Sequence, residues 1–174
     1  MERISSRTVH EGPRLAVVQE RWRFEDGSES DREIADVEDA VTVVAHDDEF
    51  VYMVRQPREA VGEPALLELP AGKLDVEGES PLECARRELV EEIGRSAQDW
   101  RELKRFYPTP GLAREAMSLF LATGLELVEG HVPDPEERIE VVPWPLADVD
   151  GAIAECEDAK SLIGLYMLRD LLGS

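Results

Sequence analysis

The 174-residue chain predicts a mixed α/β sandwich with an N-terminal β-hairpin extension. Two observations carry the prediction. Strand-like runs come first, with one helix interleaved among them and two more at the end. The interleaved helix, residues 81–93, has both of its ends marked by the sequence.

Residues 14–24 read as a strand, with Val18, Glu20, Trp22 and Phe24 on one face and Arg21 and Arg23 on the other. Asp26-Gly27 is a hairpin turn, and residues 28–37 return from it. A hairpin this polar does not stand alone, so it is predicted to pack on the main domain or on a second subunit. The division is therefore an extension over 1–38 and a main domain over 39–174.

Val41–Ala45 and Phe50–Val54 are apolar runs joined by the turn His46–Glu49, a hairpin in a buried sheet. Residues 57–65 read as a loop. Leu66–Leu69 reads as a short strand stopped by Pro70-Ala71-Gly72. Ser80 is placed as the N-cap of the helix, Pro81 as its first residue, Glu83 as the reciprocal partner in a capping box, and Gly94 as the C-cap. Leu82, Ala85, Leu89 and Ile93 give that helix its apolar stripe. Strands follow over 103–107, 116–122 and 138–144. Helices over 146–156 and 159–172 come last.

The chain holds 39 Asp and Glu against 19 Lys and Arg, a net charge of −20. Nucleic acids and anionic membrane surfaces call for the opposite sign, so neither is an expected partner. An anionic small molecule remains possible where local arginines or divalent metals invert the field. Lysine occurs only at positions 73, 104 and 160, so the cations are otherwise arginine. Salt adaptation and an arginine-rich proteome both account for that bias. Cys84 and Cys156 read as reduced thiols, and His10, His46 and His131 as surface residues. Met1–His10 has no apolar core of a signal peptide, and a cytoplasmic location is expected.

In helix 81–93, Glu88, Glu91 and Glu92 fall within an arc of about 100°. One reading is a solvated acidic face in a chain rich in acid. The other is a site for a hard, oxygen-seeking cation, since Mg²⁺ takes a few carboxylates and keeps positions for water and phosphate. The segment Ala71-Gly72-Lys73 leads from a strand toward the same helix and brings backbone carbonyls near the cluster. The chemistry implied is attack of water on a phosphoric anhydride.

These residues resemble the Nudix box, G-x5-E-x7-R-E-U-x-E-E-x-G-U, through Gly72, Glu79 and Arg87-Glu88-Leu89-Val90-Glu91-Glu92-Ile93-Gly94. There are two departures. Six residues separate Gly72 from Glu79, and Arg95 stands where the motif has an aliphatic residue. The resemblance implies a Nudix-type α/β/α sandwich and a pyrophosphohydrolase using Mg²⁺ or Mn²⁺. It implies that Glu88 and Glu92 bind metal with support from Glu91, and that the Ala71 carbonyl adds a ligand. It further implies that Arg87 orients the cluster and that Glu79 holds the loop against the helix.

Arg55-Gln56-Pro57-Arg58 and Leu67-Glu68-Leu69-Pro70-Ala71-Gly72 are similar to the ADP-ribose pyrophosphatase branch of that family. So are the marker proline Pro110, Trp144-Pro-Leu146 and Asp158-Ala-Lys160-Ser161. The branch implies that Arg58, with Arg55 and Glu68, binds substrate, and that Glu115 is the general base or a metal-assisting group. Arg114 departs from the small polar or acidic residue usual before that glutamate. The branch also implies a homodimer in which the hairpin reaches the partner. The expected reaction is hydrolysis of ADP-ribose to AMP and ribose 5-phosphate. The alternatives are another nucleotide sugar or dinucleotide as substrate, or a non-catalytic ligand sensor.

Overall fold

The computed structural model describes residues 1–13, 15–131 and 138–173, and they form two compact units. Arg14, the first residue of the strand predicted over 14–24, lies outside them.

The first unit comprises Met1–Asp39 and Phe106–Met117. Its sheet holds β1 (Glu2–Glu11), β2 (Ala16–Arg23) and β3 (Glu29–Asp36), antiparallel and in that order. The predicted hairpin is β2–β3, with Val18 opposite Ile34 and Trp22 opposite Ser30. Its turn is closed by the Asp26 carboxylate, which accepts from the Ser28 amide at 3.0 Å. Strand β1 was not foreseen. All ten of its residues are exposed, so no burial-driven alternation marks it in the sequence. Segment 107–116 lies along β3: the Ala35 amide donates to Leu112 O at 2.9 Å, and the Arg114 amide to Ala35 O at 3.0 Å.

The second unit comprises Ala40–Arg105 and Ser118–Ser174. Its strands are β4 (Ala40–His46), β5 (Phe50–Arg58), β6 (Glu63–Glu68), β7 (Ala71–Lys73), β8 (Arg95–Phe106), β9 (Met117–Leu127) and β10 (Glu140–Pro145). They run β10-β5-β4-β9-β8, with β6 paired to β5 and β7 paired to β4. Helix α1 (Pro81–Ile93) packs Cys84, Ala85, Leu89 and Ile93 on Val41, Val43, Ala45, Tyr52 and Val54. The alternate residues of β4 face the other way. There α3 (Ala159–Leu172) approaches so closely that a Cβ on Gly164 would lie 2.9 Å from the Val44 side chain. The mixed α/β architecture is as the sequence predicts.

Several boundaries differ. The predicted loop 57–65 is shorter, because β5 continues through Pro57 and β6 begins at Glu63. The β5–β6 register breaks between Gln56 and Arg58, where a proline needs no amide for the ladder. Ala71–Lys73 pairs with β4 instead of only ending a strand. Strand β8 starts immediately after the helix cap, eight residues before the predicted Leu103. It lies at the end of the sheet order, none of its residues is fully buried, and its exposure does not alternate, which hides its length in the sequence. The segment from 146 opens as a 3-10 turn, Leu146–Asp148, before α2 (Val149–Glu155). His131 is not a free surface residue: it packs over the left-handed cap Gly94, where a Cβ would lie 2.6 Å from its ring. Cys84 and Cys156 are free and buried. Among the described residues no helix is long and apolar enough to cross a membrane.

Candidate active site

Helix α1 forms where the sequence marks it. Ser80 and Glu83 cap each other reciprocally, and Gly94 closes the far end in the left-handed region. The apolar stripe seats the helix on β4 and β5, which fixes the direction in which its glutamates point. Glu88 and Glu92 are buried and Glu91 is exposed.

Arg87 ties this helix to the loop before it. Its guanidinium contacts Glu79 at 3.0 Å, Glu88 at 2.6 Å, Glu91 at 2.9 Å and Asp75 at 3.5 Å. It also donates to Lys73 O at 3.2 Å. The Glu79 hydrogen bond, reinforced by Glu88 and Glu91, holds the Arg87 guanidinium firmly charged, its pKa above the ordinary value. The same bond holds the Glu79 carboxyl below its ordinary range. Four carboxylates thus share one guanidinium, leaving three negative charges uncompensated by it. The loop between Gly72 and Glu79 ends in a turn, with the Glu79 amide donating to Val76 O at 3.1 Å and Gly78 at φ 82°.

Residues 69–72 are pinned from three elements. Ser161 Oγ on α3 accepts from the Leu69 amide at 2.7 Å. Pro70 O accepts from the Val43 amide at 2.8 Å and from Thr42 Oγ1 at 3.2 Å. Glu92 Oε2 accepts from the Ala71 amide at 3.0 Å. Gly72 lies directly beneath Glu88, and a Cβ there would fall 1.8 Å from the Glu88 carboxyl carbon. Only glycine leaves that space to the carboxylate.

The donors suit a hard divalent cation: buried carboxylates, a backbone segment threaded against them, and excess negative charge. Among the described residues no three His, Cys, Asp or Glu side chains already stand in a ligating group. Arg87 engages Glu88 and Glu91, and the Ala71 amide engages Glu92.

Arg58 and Arg55, three residues apart in the motif, take different partners. Arg58 forks onto Glu68 through Nε at 2.5 Å and Nη2 at 2.7 Å. The Glu68 side chain is 1% exposed and that of Arg58 41%. The Glu68 bond raises the Arg58 pKa above its ordinary value. Arg55 instead pairs with Glu155 on α2. Arg95, the departure from the motif, stacks 4.1 Å from the centroid of Tyr52. The Tyr52 hydroxyl donates to Asp47 at 2.6 Å. Burial, then this bond, raises the Tyr52 pKa to about 12. A cation over an aromatic face here replaces an aliphatic contact.

Glu115 belongs to the first unit, half-buried on the segment after β8. Its neighbour Arg114 reaches Glu20 at 2.7 Å and Asp36 at 3.2 Å. Glu20 is fully buried and also accepts from Arg3 at 2.8 Å and from Trp22 Nε1 at 3.1 Å. Sequence reading placed Glu20 on a strand face without giving it a role. A charged residue on the apolar side of a strand was the signal. It likewise assigned no role to Lys160 or Ser161, although Asp158 two to three residues before them is a helix-capping type.

A family model described as the NUDIX domain matches residues 36–162. The chain is 37% identical over 163 residues to an ADP-ribose pyrophosphatase of Mycobacterium tuberculosis (strain ATCC 25618 / H37Rv), covering 92% of this chain and 78% of that protein. It is 34% identical over 170 residues to an ADP-ribose pyrophosphatase of Bacillus subtilis (strain 168), covering 95% and 91%. A crystal structure of ADP compounds hydrolase superposes with a TM-score of 0.86 at 26% identity, covering 99% of this chain and 94% of that one. With most of its length matched, and with its glutamate helix and glycine loop in register with one another, the chain belongs to the NUDIX family.

Proposed function

We propose that the protein hydrolyses the diphosphate linkage of ADP-ribose, using Mg²⁺ or Mn²⁺ and releasing AMP and ribose 5-phosphate. The observation that carries the reading is the packing of Glu88 and Glu92 against the Ala71–Gly72 backbone, with the excess carboxylate charge around Arg87. Relatives of 34–37% identity named ADP-ribose pyrophosphatase supply the substrate.

Glu88 and Glu92, supported by Glu91 and the Ala71 carbonyl, would hold the cation. When bound, it neutralises phosphate charge and makes water a better nucleophile. Arg87 keeps Glu88 and Glu91 from splaying apart, and Glu79 anchors the loop to α1 through Arg87. Arg58 receives a phosphate of the substrate. Glu115 takes a proton from the attacking water, whose oxygen bonds to phosphorus as the bridging P–O bond breaks. The other phosphate leaves with the bridging oxygen.

We further propose a homodimer through residues 14–37, supported by the partly exposed Trp22 and Phe24 beside a cavity of about 410 Å³ in the first unit. A cytoplasmic location fits the free thiols.

The test is product analysis across ADP-ribose, other nucleotide sugars and dinucleotides, with and without chelator. AMP and ribose 5-phosphate formed fastest from ADP-ribose, and stopped by chelator, is the expected result. Preference for another compound would reassign the substrate. Binding of ADP-ribose with no turnover in Mg²⁺ or Mn²⁺ would make the chain a sensor. Light scattering that shows a monomer at micromolar concentration would remove the dimer.

A further inference from the structure

Lysine is scarce in this chain, yet Lys160 stands at a nearly closed position in the first turn of α3, its side chain 11% exposed. Its ammonium bonds to Oε2 of Glu68 and, at 2.8 Å, to Oδ2 of Asp158. Asp158 is itself held as the helix cap, accepting from the Ser161 amide at 3.0 Å and from the Ser161 hydroxyl at 2.5 Å. Glu68 is the carboxylate on which Arg58 forks. A continuous ionic chain therefore runs Asp158–Lys160–Glu68–Arg58, from the start of α3 to the exposed guanidinium at the end of β5.

The geometry divides the labour along this chain. Both oxygens of Glu68 are engaged by Nε and Nη2 of Arg58, which leaves Nη1 as the edge for another acceptor. A carboxylate this buried, carrying one fork and nothing else, could turn about its last torsions and take the fork with it. The ammonium on Oε2 removes that freedom. It comes from a helix whose first turn also anchors the Leu69 amide through Ser161, so the fork and the Leu69–Gly72 segment share one support.

We propose that Lys160 is a positioning residue: by locking buried Glu68, it holds Arg58 with Nη1 presented to the diphosphate of the substrate. This rests on the reading of Arg58 as a phosphate contact. A compact ammonium suits the role, because it can approach one oxygen of a carboxylate whose plane is already occupied by a guanidinium.

The test is a double-mutant cycle between Lys160→Met and Arg58→Ala, read in two ways. Calorimetric binding of inorganic pyrophosphate measures the fork without turnover. Steady-state kinetics with ADP-ribose separates KM from kcat. Lys160→Met is expected to weaken pyrophosphate binding about tenfold, the scale of one charge-assisted hydrogen bond. It should raise KM similarly and leave kcat within about threefold. In the Arg58→Ala background the same change should add less than about twofold, since the two act as one unit. If Lys160→Met does not fold, Lys160→Ala takes its place, also leaving Glu68 without that donor. Additive effects, unchanged pyrophosphate affinity in the Lys160 variant, or no pyrophosphate binding by the wild type would each overturn the proposal. Coupling in pyrophosphate binding without ADP-ribose hydrolysis would instead overturn the substrate and leave Lys160 its role.

Discussion

The backbone amide of Ala71 donates to the Glu92 carboxylate at 3.0 Å, joining the strand-to-helix loop to the last full turn of α1. One oxygen of a buried glutamate is thereby committed to holding the loop. Glu92→Gln keeps an amide oxygen that can accept the same bond and removes the charge. Turnover of ADP-ribose should fall by at least about 100-fold, as when a main electrostatic stabiliser is lost. The melting temperature should stay within a few degrees. Near-full activity in limiting Mg²⁺ would show that Glu92 serves only to hold the Ala71 backbone and not the cation.

Gly72→Ala tests the opposite side of the same contact. The new Cβ would sit 1.8 Å from the Glu88 carboxyl carbon and 2.0 Å from its Oε1. The obstructed group is the end of a flexible side chain, so it can rotate away at modest cost in stability. It cannot do so and remain over the loop. Activity should drop by a factor of about 10² or more while thermal unfolding moves little. A variant that melts far below the wild type would mean that the backbone, not Glu88, had been displaced.

Arg58→Ala and Glu115→Gln should separate binding from chemistry. Arg58 is a contact made by the bound substrate, so its loss should raise KM with a smaller effect on kcat. Loss of a general base should lower kcat by about 10²–10⁴-fold and leave the metal concentration for half-activation nearly unchanged. A Glu115→Gln enzyme that regains its rate at high metal concentration would make Glu115 a metal-assisting group. Thr109→Ala, on the same segment, is the control and should change neither constant.

Glu20 carries a pH dependence of stability. Burial alone would raise its pKa, but hydrogen bonds from Arg3 on β1 and Arg114 on the 107–116 segment outweigh that and hold it below the ordinary carboxylate value. Ser6 and Trp22 also donate to it. The folded protein therefore binds fewer protons here than the unfolded chain. The contribution is fully present above the unfolded pKa and is lost as pH falls through the folded one. Melting temperature should decline as pH is lowered below about 5, and Glu20→Gln should decline less steeply over that range. Parallel curves for the two proteins would remove Glu20 from the account. Any other slope common to both belongs to groups such as Asp47, whose pKa is also lowered.

The sequence by itself determined the elements whose signals are local. Helix α1 was legible end to end because both caps are local: a Ser80–Glu83 side-chain box at the start and a left-handed glycine, Gly94, at the end. The buried strands β4 and β5 were legible because their residues are apolar without a break, and the three helix glutamates because their spacing places them on one face. The resemblance to the family added the partners of those residues, among them Arg87, Glu79 and Gly72. Exposed strands were the losses. Strand β1 and most of β8 lie at the ends of their sheets, where one side of the ladder and much of the side-chain surface meet water. Without burial there is no apolar period to read.

Only the tertiary structure decided which charges meet. Arg55 and Arg58 are three residues apart, yet one pairs with Glu155 on α2 and the other with Glu68 on β6. Lys160 reaches Glu68 across 92 positions, and Arg114 reaches Glu20 across 94. No local pattern encodes such pairs. They exist because packing α3 on the sheet, and the 107–116 segment on β3, brings distant carboxylates out of water, where a specific cation becomes their most favourable partner.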